Sequence, residues 1–337
     1  MIRNWLTHAR TSGSRRKARE CIRQAAKRHK NLRAPKLRFL RCLLWLFWSR
    51  LCRASLGTRG STPKPVCEII GPVNSLLPAL LAGGLFWANA ADKPAAPPLP
   101  RAHSHNDYEH PRPLLDALDH GFCSVEVDIY AIDGQLLVAH DRARVDPKRT
   151  LQALYLDPLR DRVRSNRGRV FPGDHDFFLL IDFKTPSDVT WSALAPVLDE
   201  YAEMLTVFAA NRTETNAVTI VLSGNSPRSA LAATARRRAA IDGRLPDLDG
   251  AAGARLVPWI SENWRARFSW RGQGEMPPGE AQRLADLVQR AHAQGRRVRF
   301  WGGPDIEPVW RVQHAAGVDL INTDKLAELR AFLLGMP

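Results

Sequence analysis

From residue 101 onward, short apolar runs alternate with stretches whose apolar positions recur every three to four residues. The runs at 101–105, 123–128, 177–182, 217–222, 256–260, 298–301 and 318–321 predict strands, with a weaker one near 238–241. The longer periodic stretches at 112–120, 187–206, 278–295, 305–316 and 324–334 predict helices. Repeated strand-then-helix units in this number predict an α/β fold, a (β/α)₈ TIM barrel spanning 101–337. In that architecture functional groups stand at the carboxyl ends of the strands. The segment 142–176 breaks the alternation and reads as a long irregular insertion near the barrel mouth.

Polar residues interrupt the first strands at their ends. Residues 101–141 read RAHSHNDYEHPRPLLDALDHGFCSVEVDIYAIDGQLLVAHD. His105 closes the first strand. Glu126 and Asp128 lie at i and i+2 in the second, so both carboxylates point to one face. Asp133-Gly134 is a hairpin signal, and the apolar run after it delivers His140 and Asp141. Two carboxylates on one face of a buried strand repel each other and lose hydration, a cost that a cation removes. Oxygen donors suit a hard ion such as Mg²⁺ or Ca²⁺. A histidine on either side suits general acid–base work. The alternative for the Glu-Val-Asp pair taken alone is an ordinary charged hairpin.

Phe177 to Lys184 reads FFLLIDFK, a buried parallel strand with Asp182 and Lys184 on one face at its end. Taken alone, this pair is equally a strand-end salt bridge.

These motifs resemble the glycerophosphodiester phosphodiesterase and phosphatidylinositol-specific phospholipase C superfamily. The AHSHNDY of Ala102 to Tyr108 resembles the branch named after altered inheritance of mitochondria protein 6. The resemblance covers about residues 99–335. It implies a metal-dependent phosphoric diester hydrolase with His105 and His140 as the acid–base pair. Glu126, Asp128 and Asp182 would be ligands of a divalent cation, Mg²⁺ or Ca²⁺, and Lys184 would contact phosphate. The implied substrate is a small-molecule or lipid-derived phosphodiester. One departure stands out: relatives carry His-Arg-Gly at the first strand, whereas this chain has His105-Asn106-Asp107. A neutral amide at Asn106 replaces a cation at the phosphate. Asp107 is open to three readings: a metal ligand, a group behind the ligands, or the cap of the following helix.

Two other classes compete. His103-Ser104-His105 is an H-x-H at a strand end, as in zinc amidohydrolases, but the later His175, His292 and His314 are poorly placed to complete such a site. The second is a catalytically inactive barrel that only binds. Among the remaining polar residues, His103 shares the face of His105, His120 reads as a structural helix-end residue, and Asp324 as the cap of the last helix. Ser223, Asn225, Ser261 and Asn263 follow or end strands at the expected active face, and Trp301 ends the seventh.

Charge changes the picture only at the N-terminus. Residues 1–70 hold 18 of the 49 Lys and Arg but 2 of the 34 Asp and Glu, which leaves 31 basic and 32 acidic residues beyond. The net charge of +15 therefore belongs to the first segment, and the barrel carries no charge argument for nucleic acid. Residues 1–68 read as a basic extension. Residues 69–90 carry an apolar core, SLLPALLAGGLFW, before Ala88-Asn89-Ala90, the pattern of a secretory signal peptide, with an uncleaved membrane anchor as the alternative. Export to the periplasm or beyond is the expectation, with cleavage before Ala91 and a true start later than Met1. Membrane contact would run through 69–91. A Pro-rich linker occupies 91–100. Four of the five cysteines precede the cleavage point, so only Cys123 remains in the barrel, as a small buried hydrophobe.

Overall fold

The computed structural model describes residues 96–336. The basic extension, the apolar segment 69–90 and the first half of the linker lie outside the described residues. No helix among the described residues is long and apolar enough to cross a membrane.

The strands in chain order are β1 (Leu99–Ser104), β2 (Phe122–Ile132), β3 (Gln135–Val138), β4 (Phe178–Phe183), β5 (Val207–Ala209), β6 (Thr213–Glu214), β7 (Thr219–Gly224), β8 (Arg236–Arg237), β9 (Ala239–Gly243), β10 (Trp259–Asn263), β11 (Arg297–Trp301) and β12 (Leu320–Thr323). The helices are α1 (Leu115–Asp119), α2 (Asp157–Ser165), α3 (Ser187–Glu200), α4 (Arg228–Ala233), α5 (Trp264–Arg267), α6 (Pro278–Ala293), α7 (Glu307–Ala315) and α8 (Leu326–Leu334). Strands β1, β2, β4, β7, β9, β10, β11 and β12 pair in parallel, and β1 closes the ring by pairing with both β2 and β12. The fold is a closed eight-stranded TIM barrel.

Each of the eight predicted strands is present, with bounds displaced by up to four residues, most at the end of β2, which runs on to Ile132. β1 begins at Leu99, so Pro100 belongs to the strand rather than the linker; its pairing with β2 is irregular between Leu99 and His103, where a proline is tolerated. The segment 142–176 is not simply irregular. It holds a π-helical turn over Gln152–Leu156 that runs into α2, and Leu151, Tyr155, Leu156 and Leu159 are fully buried. Its amphipathic stretch is short and interrupted by Pro158, which hides the helix from a periodicity argument. The sequence also gives no clear signal for the small sheet β6-β5-β8.

Period-two alternation sorts the barrel strands into two layers. Val125, Val127 and Ile129 on β2, with Leu179, Ile181 and Phe183 on β4, belong to the main core, which the helical layer shares. The inward positions begin with a separate apolar plug of Phe178, Leu180, Val221, Trp259 and Leu320. Full burial of such side chains contributes about 1.5–3 kcal/mol each. Beyond this plug toward the carboxyl ends, inward positions turn polar: His103, Glu126, Asp128, Asp182, Ser223, Asp242, Ser261, Arg299 and Asn322. The plug supports a polar floor on which the site is built.

The β2–β3 hairpin turns at Asp133 and Gly134, both left-handed at φ 51° and 76°, as a two-residue type I′ turn requires. Cys123 is buried and has no disulfide partner among the described residues; burial pushes its thiol up to about 12, so it is packing material.

Candidate active site

Glu126 and Asp128 do share one face, and Asp182 lies directly beside Asp128 in the β2–β4 register. Each meets a cationic side chain. Glu126 Oε2 accepts from Arg299, which reaches across the barrel from β11, and lies 3.3 Å from His103 Nε2. Burial opposes ionisation of Glu126, but the Arg299 charge, the His103 hydrogen bond and the nearby histidines together outweigh it and hold the carboxyl well below the usual carboxylate range. The same burial and the Arg299 charge push His103 down to about 3, so its ring is neutral. A neutral ring donates from Nε2 to Glu126 and accepts at Nδ1 from the Ser124 hydroxyl, 2.7 Å away.

Asp128 differs from Glu126. Its Oδ2 meets the Tyr108 hydroxyl at 2.6 Å, Lys184 Nζ at 2.9 Å and His140 Nδ1 at 3.3 Å. Burial and the nearby Glu126 charge raise it to about 6 despite these partners. Lys184 also lies 2.5 Å from Asp182 Oδ2, so the expected strand-end salt bridge is present and extends to a second carboxylate.

One oxygen of each carboxylate is left over. Glu126 Oε1, Asp128 Oδ1 and Asp182 Oδ1 have no hydrogen-bond donor among the described residues, and Asp128 Oδ1 is fully buried. Gly224, at φ 62°, borders this place: a Cβ there would stand 2.7 Å from Asp182 Oδ1. Unpaired buried carboxylate oxygens suit a hard cation. As they are placed, no three His, Cys, Asp or Glu groups among the described residues stand close enough to grip an ion; Lys184 and Arg299 carry the countercharge.

His105 follows β1 directly. Its Nδ1 lies 2.8 Å from Asp324 Oδ1, just past β12. Burial disfavours its charge, but the hydrogen bond to Asp324 and the field of Glu126 outweigh that, and its pKa is raised. Asp324 was expected to cap the last helix. It instead serves His105; α8 starts at Leu326 without a side-chain cap. His140 stands past β3 with Nδ1 2.9 Å from the Tyr108 hydroxyl.

Asn106 stands on the loop that follows β1. Its side chain lies between the two histidine networks, 2.9 Å from His105 Nδ1 and 2.9 Å from Tyr108 Oη. Asp107 is no ligand. It is fully buried and accepts from the Ser104 hydroxyl, the Leu114 amide and the Tyr155 hydroxyl, which pins the loop that carries Asn106 and Tyr108. Burial raises its carboxyl in spite of these bonds.

Of the weaker candidates, His120 bonds the Asp116 carbonyl at the end of α1 and is structural. Ser223 and Ser261 donate to Asp242, a buried acid on β9 that Arg244 also contacts. Asn225 bonds the Thr185 carbonyl. Asn263 lines a 290 Å³ cavity beside His105, with Arg265, Gln313 and Asn322 among its walls. Trp301 remains partly exposed at the end of β11.

Three features escaped the sequence. Arg299 looks like one basic residue among many in RRVRFW, and only barrel closure brings it to Glu126. Tyr108 was visible in the AHSHNDY motif but carried no role. Asp324 follows a strand end, a signal that becomes readable once β12 is known to neighbour β1.

The fold is a TIM barrel that carries His, Glu, Asp and Lys side chains at the ends of its first three parallel strands. Residues 96–241 match the AIM6-like phosphodiesterase domain, and 297–327 match the glycerophosphoryl diester phosphodiesterase family. Over the first part of the barrel the chain is thus similar to the AIM6-like phosphodiesterase domain, and near its C-terminus to the glycerophosphoryl diester phosphodiesterase family. It is 30% identical over 280 residues to altered inheritance of mitochondria protein 6 of Lachancea thermotolerans, a match covering 68% of this chain and 65% of that protein. The chain thus spans somewhat less than two thirds of that relative. The homolog from Arthroderma benhamiae is 25% identical over 83% of this chain and 98% of its own length. Among solved structures, a glycerophosphodiester phosphodiesterase from Agrobacterium tumefaciens aligns with 70% of this chain and all of its own, at 16% identity and a TM-score of 0.43.

Proposed function

We propose that this barrel hydrolyses a phosphodiester with the help of a divalent cation, Mg²⁺ or Ca²⁺, using His105 and His140 as its proton-transfer pair. The observation that carries the reading is the pairing of each histidine through Nδ1, His105 to Asp324 and His140 to Tyr108. Each ring is thereby anchored at one nitrogen and keeps Nε2 for proton exchange.

Glu126, Asp128 and Asp182 would have to draw closer than they now stand to hold the cation, offering it the oxygens that lack protein donors. Bound there, the cation would supply Lewis-acid stabilisation of charge on the phosphoryl oxygens. Lys184, already between Asp128 and Asp182, has its ammonium where it can turn to a phosphoryl oxygen. One histidine takes the proton of the attacking oxygen as the new P–O bond forms. The other gives a proton to the departing alcohol as the old P–O bond breaks. The attacking oxygen is that of water or of a neighbouring substrate hydroxyl. The substrate is a small or lipid-derived phosphodiester.

The test is hydrolysis of bis(p-nitrophenyl) phosphate and a panel of glycerophosphodiesters by the full chain, with EDTA, Mg²⁺ or Ca²⁺. His105→Ala and Glu126→Ala run beside it. Cation-dependent release lost in both variants is the expected result. A folded protein that binds the cation and turns over no diester would favour a barrel that only binds.

A further inference from the structure

We propose that Tyr108 is the positioning residue of the histidine pair: its hydroxyl sets His140 directly and His105 through Asn106. This rests on the two-histidine reading above. Tyr108 sits in a single 3₁₀ turn, Asp107–Glu109, entered through Asn106 in the left-handed region at φ 46°. Only 2% of the residue is exposed, yet its hydroxyl meets three polar partners. They are Asp128 Oδ2 at 2.6 Å, His140 Nδ1 at 2.9 Å and the Asn106 amide at 2.9 Å. The ring also lies nearly parallel to that of His140, at 17° with centroids 6.4 Å apart. The turn is held at both ends, by buried Asp107 and by Arg149, whose guanidinium donates to the Tyr108 carbonyl.

A phenol has one proton and two lone pairs. The shortest of the three contacts runs to the carboxylate, the strongest acceptor present, so the proton belongs to Asp128. The other two partners must then donate to the phenolic oxygen. His140 therefore carries its hydrogen on Nδ1 and leaves Nε2 with a free lone pair. Asn106 is placed with Oδ1 at Tyr108 and Nδ2 at His105; amide oxygen and nitrogen are told apart only by the hydrogen-bond network, and this network requires the amide turned over, with its nitrogen donating to Tyr108 and its oxygen facing His105. With the amide so turned, His105 Nδ1 donates to Asp324, 2.8 Å away, and the Asn106 oxygen stands beside it as a second acceptor. One hydroxyl thus fixes the tautomer of His140 and, through one amide, braces His105. The cation site is not disturbed, because Tyr108 uses Asp128 Oδ2 and leaves Oδ1 without a partner.

The experiment is nitrogen-15 NMR of histidine-labelled full-chain protein at about pH 8, above the ordinary imidazole range, with kinetics on the same samples. Wild-type His140 should show the Nδ1–H tautomer; the Nε2–H tautomer there would overturn the proposal without any variant. Tyr108→Phe should move His140 toward Nε2–H and lower kcat about 10–100-fold, with KM changed less than about twofold. Asn106→Ala should shift the His105 Nδ1 resonance and leave the His140 tautomer in place, which keeps the test open if Tyr108→Phe fails to fold. A folded Tyr108→Phe with wild-type kcat and an unmoved tautomer would show that the tyrosine only packs. If the protein cleaves no diester at all, the tautomer result still decides this proposal, while the function proposal falls separately.

Discussion

Arg299 on β11 and Glu126 on β2 form an ion pair across the interior of the barrel, with β12 and β1 between their strands. Both are almost fully buried, and Arg299 Nε also donates to Asn322 at 2.9 Å. Removing one partner of such a pair strands the other charge away from water, a loss of about 3–5 kcal/mol. Arg299→Met should lower stability by that order in urea unfolding at neutral pH. The pair should also shape acid unfolding. Glu126 ionises in the native state below its unfolded value of about 4.3, so its contribution is complete above that value. It is lost as the pH falls through the lowered native pKa. Arg299→Met should weaken that acid dependence. A variant as stable as wild type would mean that the pair gains nothing over an apolar replacement.

The His105–Asp324 contact gives a prediction of opposite sign. The raised pKa of His105 means that the folded state holds this proton more tightly than the unfolded chain. That contribution is present below the unfolded value of about 6.5 and fades as the pH rises through the native one. Asp324→Asn should move the His105 NMR titration midpoint downward. An unchanged midpoint would show that the carboxylate is not what stabilises the imidazolium.

If the proposed reading holds, Lys184 separates binding of a cation from handling of phosphate. Lys184→Met removes the ammonium from Asp128 and Asp182 but leaves all three carboxylates. Manganese affinity, measured by electron paramagnetic resonance with Mn²⁺ as probe, should be equal to wild type or tighter. Diester turnover should fall by about 100-fold or more, the scale of losing one charge stabiliser. Weaker Mn²⁺ binding would contradict this division of labour.

Asp107 should behave as the loop's anchor. Asp107→Ala leaves the Ser104 and Tyr155 hydroxyls and the Leu114 amide without their acceptor. Stranded buried donors cost about 1–3 kcal/mol each, reduced where water enters the space. Hydrogen exchange of residues 106–114 should accelerate in the variant, and its Tm should fall. Exchange rates equal to wild type would show that the turn is held by packing alone.

Much of the barrel was legible because each strand announces itself locally. FFLLID is apolar at both parities, as a strand covered on both faces must be, and Asp-Gly fixes the hairpin without help from the rest of the chain. Helix α2 was not legible, since a nine-residue amphipathic segment beside a π turn and a proline has too little periodicity to stand out. Strand ends also slid by up to four residues, because ladder pairing with neighbours decides where a strand stops.

For the site, local pattern determined which side chains share a face. Glu126 with Asp128, and Asp182 with Lys184, follow from the two-residue period of a strand. His105 and His140 follow from where strands end. What each group touches was decided only by closure of the barrel. Closure brings β12 against β1, so Asp324 meets His105 instead of capping a helix. It also opposes β11 to β2, so a single arginine neutralises Glu126. The loop after β1 folds back to carry Tyr108 between Asp128 and His140, and turns Asn106 into a brace between two histidines. Such contacts join residues up to 219 positions apart. Spacing along the chain encodes direction from a strand, while the identity of the partner depends on ring geometry that no local segment contains.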